Sequence, residues 1–121
     1  MEYTSYEVKD SQIAPGVSYT VAKMSFGRRV ELTRRIRELA LRKEFVEAGE
    51  TPNEKMEAAL LASEIDRLYL LWGLKEVTGL EVDGLPATPE SLAASGPEEL
   101  FREALAAVKE QCGLSEAERK N

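Results

Sequence analysis

The chain has 121 residues, of which 43% are apolar and 31% charged, enough for one domain with a hydrophobic core and too few for two. With 16 Lys/Arg against 22 Asp/Glu its formal net charge is −6, which argues against a phosphate-binding surface spread over the molecule. There is no histidine and one cysteine, Cys112, so a structural zinc site, an internal disulfide and a Cys–His nucleophile pair are excluded.

From the N-terminus, residues 1–24 read as a β-hairpin. Tyr6 and Val8, then Val17, Tyr19 and Val21, recur at period two, and Pro15-Gly16 punctuates the runs. A lone hairpin is marginal in water, so its apolar face is expected to pack on the helices that follow. Ser25 is a good N-cap for a basic helix over 25–48, stopped near Gly49. Phe26, Val30, Thr33, Ile36, Arg37 and Ala40 fall on a 3.6-residue spacing, widened by Leu32, Leu39 and Phe45, and this stripe is expected to face inward.

Thr51-Pro52-Asn53-Glu54 combines a capping threonine, a proline at the first helical position and a glutamate that can reach back. It opens a helix over 52–75 that is apolar almost all round near its end. That helix is expected to be the core element, with Leu60, Leu68, Leu71 and Trp72 largely buried. Asp83-Gly84 between short apolar runs predicts a second hairpin over 77–87, with Pro86 confining its return strand to an edge. Helices fill 89–121. Thr88-Pro89-Glu90 opens the first, Gly96-Pro97 breaks it, and LFREALAAVKEQC follows with Leu100, Phe101, Leu105 and Val108 inward and Gly113 as its stop. Cys112 is expected to half-bury near that helix end. Ser115-Glu116-Ala117-Glu118 is a further capping pattern, which leads us to expect a tail or an ordering partner beyond it. The whole predicts an α+β, predominantly helical single domain.

Charge is uneven along this order. Residues 1–50 carry nine Lys/Arg against eight Asp/Glu, a net of +1, whereas residues 51–121 carry seven against fourteen, a net of −7. The segment Ser25–Lys43, SFGRRVELTRRIRELALRK, has seven basic and two acidic side chains. Its arginines Arg28, Arg29, Arg34, Arg35 and Arg42 mostly fall off the apolar stripe and are the candidate partner-binding residues. Three readings are open for them: a solvated face paired with Glu31 and Glu38, a contact surface for a protein of acidic character, or a nucleic-acid-associated regulator using helix 25–43. The last lacks helix-turn-helix spacing and an aromatic stacking surface among the arginines.

Nothing in the sequence assembles a catalytic, cofactor-binding or metal site. Asp66 has Arg67 beside it and Asp83 is explained by its turn; no D-x-D-x-D loop is present, and the glycines are too scattered to cradle phosphate. Tyr69 and Trp72 at helical spacing read as core rather than as a ligand pocket. The polar N-terminus MEYTSYEVKD is unlike a signal peptide and no apolar run has the length of a bilayer span, so a cytoplasmic, non-membrane protein is expected.

Taken as a string, SYTVAKMSFGRRVELTRRIREL followed by EIDRLYLLWGLKEVTGLEVDGLPATPESLAASGPEELFREALAAVKEQCGLSEAERKN resembles tail assembly chaperones of tailed bacteriophages and prophages. The resemblance is carried by the order of strand pair, basic helix, tryptophan-leucine helix, VDG turn, GPEEL helix and LSEAERKN end. It implies a non-enzymatic, mainly helical protein of the bacterial host cytoplasm that binds the tape measure protein until the tail tube forms around it. It also implies a chain that translational frameshifting sometimes extends. Self-association is compatible with it.

Overall fold

The computed structural model describes residues 1–113, and the Ser115–Glu118 capping pattern lies outside them. The elements are β1 (Tyr6–Asp10), β2 (Ser18–Ala22), α1 (Phe26–Glu47), α2 (Pro52–Gly73), β3 (Leu74–Thr78), β4 (Glu81–Val82), β5 (Leu85–Pro86), α3 (Pro89–Ser95) and α4 (Glu98–Gln111). The fold is α+β and predominantly helical. Local chemistry starts and stops these elements where the sequence places the signals. The Arg28 amide donates to Ser25 Oγ, and the Glu54 amide donates to Thr51 Oγ1 while Glu54 Oε1 accepts from the Thr51 amide and hydroxyl. Thr88 and Ser91 close a second capping box at α3. Asp83 and Gly84, both at positive φ, make the β4–β5 turn, and Gly113 sits at positive φ just past α4, with the half-buried Cys112 as C-cap.

The chain forms two compact units, residues 25–69 and residues 1–24 together with the chain from Leu70 on. In the latter the N-terminal hairpin does not stand alone. β3 pairs antiparallel with β2, giving a three-stranded sheet of order β1-β2-β3. This corrects two sequence expectations: the helix ends at Gly73 instead of running to 75, and the second hairpin occupies 81–86 after a separate strand. Gly73 lies so close to Val108 of α4 that a β-carbon there would collide with it, which fixes a glycine at the helix–strand junction. Leu74 and Val77 are both buried although three residues apart. A bulge opposite Thr20/Val21 leaves Lys75 as the extra residue and lets both face the core.

Helices α3 and α4 pack on the sheet, and Tyr19, Val21, Leu70, Leu92 and Val108 are its most completely buried large side chains. β1 faces the other way from the sequence expectation. Its register sets Lys9 opposite buried Tyr19 and Val8 opposite Thr20, so Glu7 turns toward α4, where the Gln111 amide donates to it, and Val8 is exposed. The Lys75 ammonium lies 4.4 Å from the centre of the Tyr6 ring.

A polar clamp ties the β1–β2 loop to α4. Glu103 accepts from Ser11 Oγ at 2.5 Å, the Gln12 amide at 2.7 Å and the Tyr19 hydroxyl at 2.8 Å. Ser11 Oγ in turn accepts from the amides of Ile13 and Ala14. Burial pushes the Glu103 carboxyl up, but the hydrogen bonds from Ser11, Gln12 and Tyr19 outweigh it and hold the group below its ordinary range. Burial, and then the neighbouring Glu103, push the Tyr19 phenol far above its ordinary value, so it remains the donor.

In residues 25–69 the core is small. Val46, Ala58 and Leu61 form a buried cluster with Leu39 packed against it. Leu60 and Met56 are more than half exposed, and Leu68 and Leu71 are half-buried; of the four residues expected in the core only Trp72 is buried. The N-terminal half of α2 is therefore a surface helix rather than the most buried element. The apolar residues that sequence periodicity assigns to its interior lie on two sides, and one side is taken up by α1.

Two outcomes follow from this packing. Leu70→Ala should lower the unfolding free energy by about 2–5 kcal/mol in denaturant titrations, as large-to-small core changes do. Leu60→Ala should stay within about 0.5 kcal/mol of the parent, as surface changes do; comparable losses at both positions would contradict the burial described. The clamp predicts acid sensitivity. A carboxyl whose folded-state pKa lies below its unfolded value stabilises the fold above the unfolded value, about 4.3 for glutamate, and loses that contribution as pH falls through the folded one. Urea midpoints should drop over that window, and Glu103→Gln should be less stable at neutral pH with a flatter acid limb. Some slope should persist from Glu7, which hydrogen bonds from Lys9 and Gln111 also hold low. An unaltered acid limb in Glu103→Gln would show that the clamp carries no linked proton.

Candidate functional site

Successive residues of an α-helix are 100° apart, so α1 can be read as two rows. Leu32, Leu39 and Val46 fall on one side with half-buried Ile36; Leu32 and Val46 are buried and Leu39 packs on the cluster with α2. On the opposite side lie Phe26, Val30, Thr33, Arg37, Leu41 and Phe45, all exposed. Phe26 is 86% and Phe45 80% exposed, close to what an unfolded chain would show. The sequence reading put Phe26, Val30, Thr33, Arg37, Ala40 and Phe45 in the inward stripe; the structure leaves them exposed, because α2 packs on Leu39 and Val46.

The outer row is not smooth. Val30, Thr33, Arg34, Arg37, Glu38 and Leu41 line a shallow depression of about 620 Å³. Leu41 also walls a second, of about 400 Å³, shared with Arg42, Phe45, Val46 and Glu57. Single exposed leucines need no explanation, but a row of large apolar side chains along a whole helix marks a contact surface.

The five arginines proposed from sequence do not share a face. Arg28 is half-buried, and Arg29 projects from a different side of the helix from Arg34. Arg35 pairs with Glu31 at 2.8 Å, and Arg42 reaches across to Glu57 of α2 at 3.6 Å. Exposed pairs of this kind contribute little stability, but they occupy the guanidinium. Arg34 is different. Neither it nor Arg37 has a carboxylate within 4.0 Å among the described residues, and both line the larger depression between Val30 and Leu41. Arg37 and Leu41 line this depression but were not among the residues that the sequence reading singled out for a partner. The available signal was the four-residue spacing of Phe26–Val30 and Leu41–Phe45 on either side of two arginines.

A further depression, on the other unit, is lined by Ile13, Glu98, Glu99, Arg102 and Glu103. Its chemistry is largely used up: Glu103 holds the loop clamp, and Glu98 pairs with Arg102 at 3.6 Å. Among the described residues no group of three or more Asp, Glu, Cys or His side chains is placed to hold a metal ion. No helix among them is long and apolar enough to cross a membrane. The surface that stands out therefore offers apolar contact and guanidinium hydrogen bonding, the chemistry of recognition. No protein-family model, no curated protein and no solved structure matches the chain.

Proposed function

We propose that this protein acts by holding another polypeptide, as a tail assembly chaperone of a tailed phage or prophage that binds the tape measure protein in the host cytoplasm before tail assembly. The observation that carries the binding reading is the outward row of α1, where Phe26, Val30, Leu41 and Phe45 stand exposed around Arg34 and Arg37, which have no ion-pair partner among the described residues. The assignment to tail assembly rests on the sequence resemblance. A tape measure is long, helical and aggregation-prone while it waits, and a helix face with apolar anchors and charges suits such a client. Nucleic acid is the weaker reading. The arginines radiate around α1, two are paired with glutamates, and exposed phenylalanines lie where a phosphate-tracking surface would be cationic.

Co-expression with the long, helix-rich product of the neighbouring tail gene, followed by pull-down, tests the proposal. That product should be recovered with the protein and stay in solution, and added salt should slow association more than it speeds release. Absence of any recovery would remove the chaperone reading. Sub-micromolar, steeply salt-dependent binding to duplex DNA near 150 mM salt, about the physiological value, would replace it with the regulator.

A further inference from the structure

Resting on that polypeptide-binding reading, we infer that the outer row of α1 docks an amphipathic α-helix of a different protein, one whose apolar stripe is interrupted midway by a pair of carboxylates. The argument begins with charge. Arg34 and Arg37 are one helical turn apart, have no carboxylate within 4.0 Å among the described residues, and sit between apolar Val30 and Leu41 in a depression that Glu38 also lines. A wholly apolar occupant would strand two guanidinium groups away from water, which is strongly unfavourable. An occupant with two carboxylates opposite them satisfies both with charge-assisted hydrogen bonds.

Geometry supplies the rest. From Phe26 to Phe45 the row is roughly 28 Å long, and a helix crossing at about 20° stays in contact along such a length. Its side chains at i and i+4, then i+15 and i+19, meet the two apolar ends of the row, while i+8 and i+11 meet the arginines. A second copy of this chain fits less well. Antiparallel pairing of two α1 helices would set Phe26 against Phe45 and Val30 against Leu41, but also Arg34 against Arg37, with two arginines for every Glu38. Like charges in register oppose that dimer.

The test uses the full chain and a synthetic helical peptide with leucines at i, i+4, i+15 and i+19 and glutamates at i+8 and i+11, together with a version carrying lysines in place of the glutamates. Fluorescence anisotropy should show binding of the glutamate peptide and about tenfold or greater weakening by Leu41→Asp, or by the lysine substitution in the peptide. The double variant Arg34→Glu/Arg37→Glu should reverse the preference and take the lysine peptide, which also shows that the variant is folded. Equal binding of both peptides, or binding untouched by these changes, overturns the inference. So does a parent that sediments as a dimer at tens of micromolar, roughly, and becomes monomeric with Leu41→Asp, since a second copy then covers the row. The pull-down separates this inference from the chaperone reading. Recovery of the tail product by parent and Leu41→Asp alike overturns the docking row and leaves the chaperone. Failure of recovery with the peptide results as expected overturns the chaperone and leaves the row.

Discussion

Within the unit formed by residues 25–69 the buried contact between the two helices is small. Leu39 and Val46 of α1 and Ala58 and Leu61 of α2 supply that contact, and Leu32 is buried on the same side of α1. Most of the other large apolar residues of α1 and of the first half of α2 then face water, with Ile36 half-buried. Phe26, Val30, Leu41, Phe45, Met56 and Leu60 are exposed for this reason rather than by local irregularity. The hydrophobic effect that closes the pair also leaves a second apolar row without a partner, and the functional reading depends on that residue of unsatisfied surface.

The unit that contains the sheet solves the opposite problem. Its strands are short and β1 is an edge, yet α3 and α4 cover the inner face and bury Tyr19, Val21, Leu92 and Val108 almost completely. The β1–β2 loop would be the weak point of so small a sheet. Glu103 holds it by accepting from Ser11, Gln12 and Tyr19, and the Tyr19 ring carries one of those donors from the middle of the core. A carboxylate in that position is tolerable only because its hydrogen bonds replace lost hydration. This accounts for the structural role of Glu103 in the depression on that unit.

Between the two, the basic composition of α1 takes on a different meaning from the one composition alone suggests. Glu31 and Glu57 occupy Arg35 and Arg42, so the count of arginines overstates the free positive charge. What remains beside the apolar row is Arg34 with Arg37. A pair of guanidinium groups flanked by apolar side chains, with Glu38 beside them, would favour carboxylates at a defined spacing, where a broad basic stripe would attract any polyanion.

The sequence by itself determined where elements begin and end wherever a side chain talks to its own backbone. Ser25, Thr51 with Glu54, Thr88 and the Asp83-Gly84 turn all do as their chemistry requires, because capping and turn geometry are settled within a few residues. It also determined the strand pair and the overall α+β class. Only the tertiary structure decided the rest. Strand β3 was illegible because its bulge buries Leu74 and Val77 three residues apart, breaking the period of two that marks a strand, and the leucines before it extend the helical pattern. The side of α1 that faces inward was illegible for a related reason: two apolar rows share the same 3.6-residue period, and periodicity carries no information about which row finds a neighbour. Packing made that choice when α2 settled on Leu39 and Val46, and in doing so it turned Phe26, Val30 and Phe45 from candidate core into candidate interface beside Leu41.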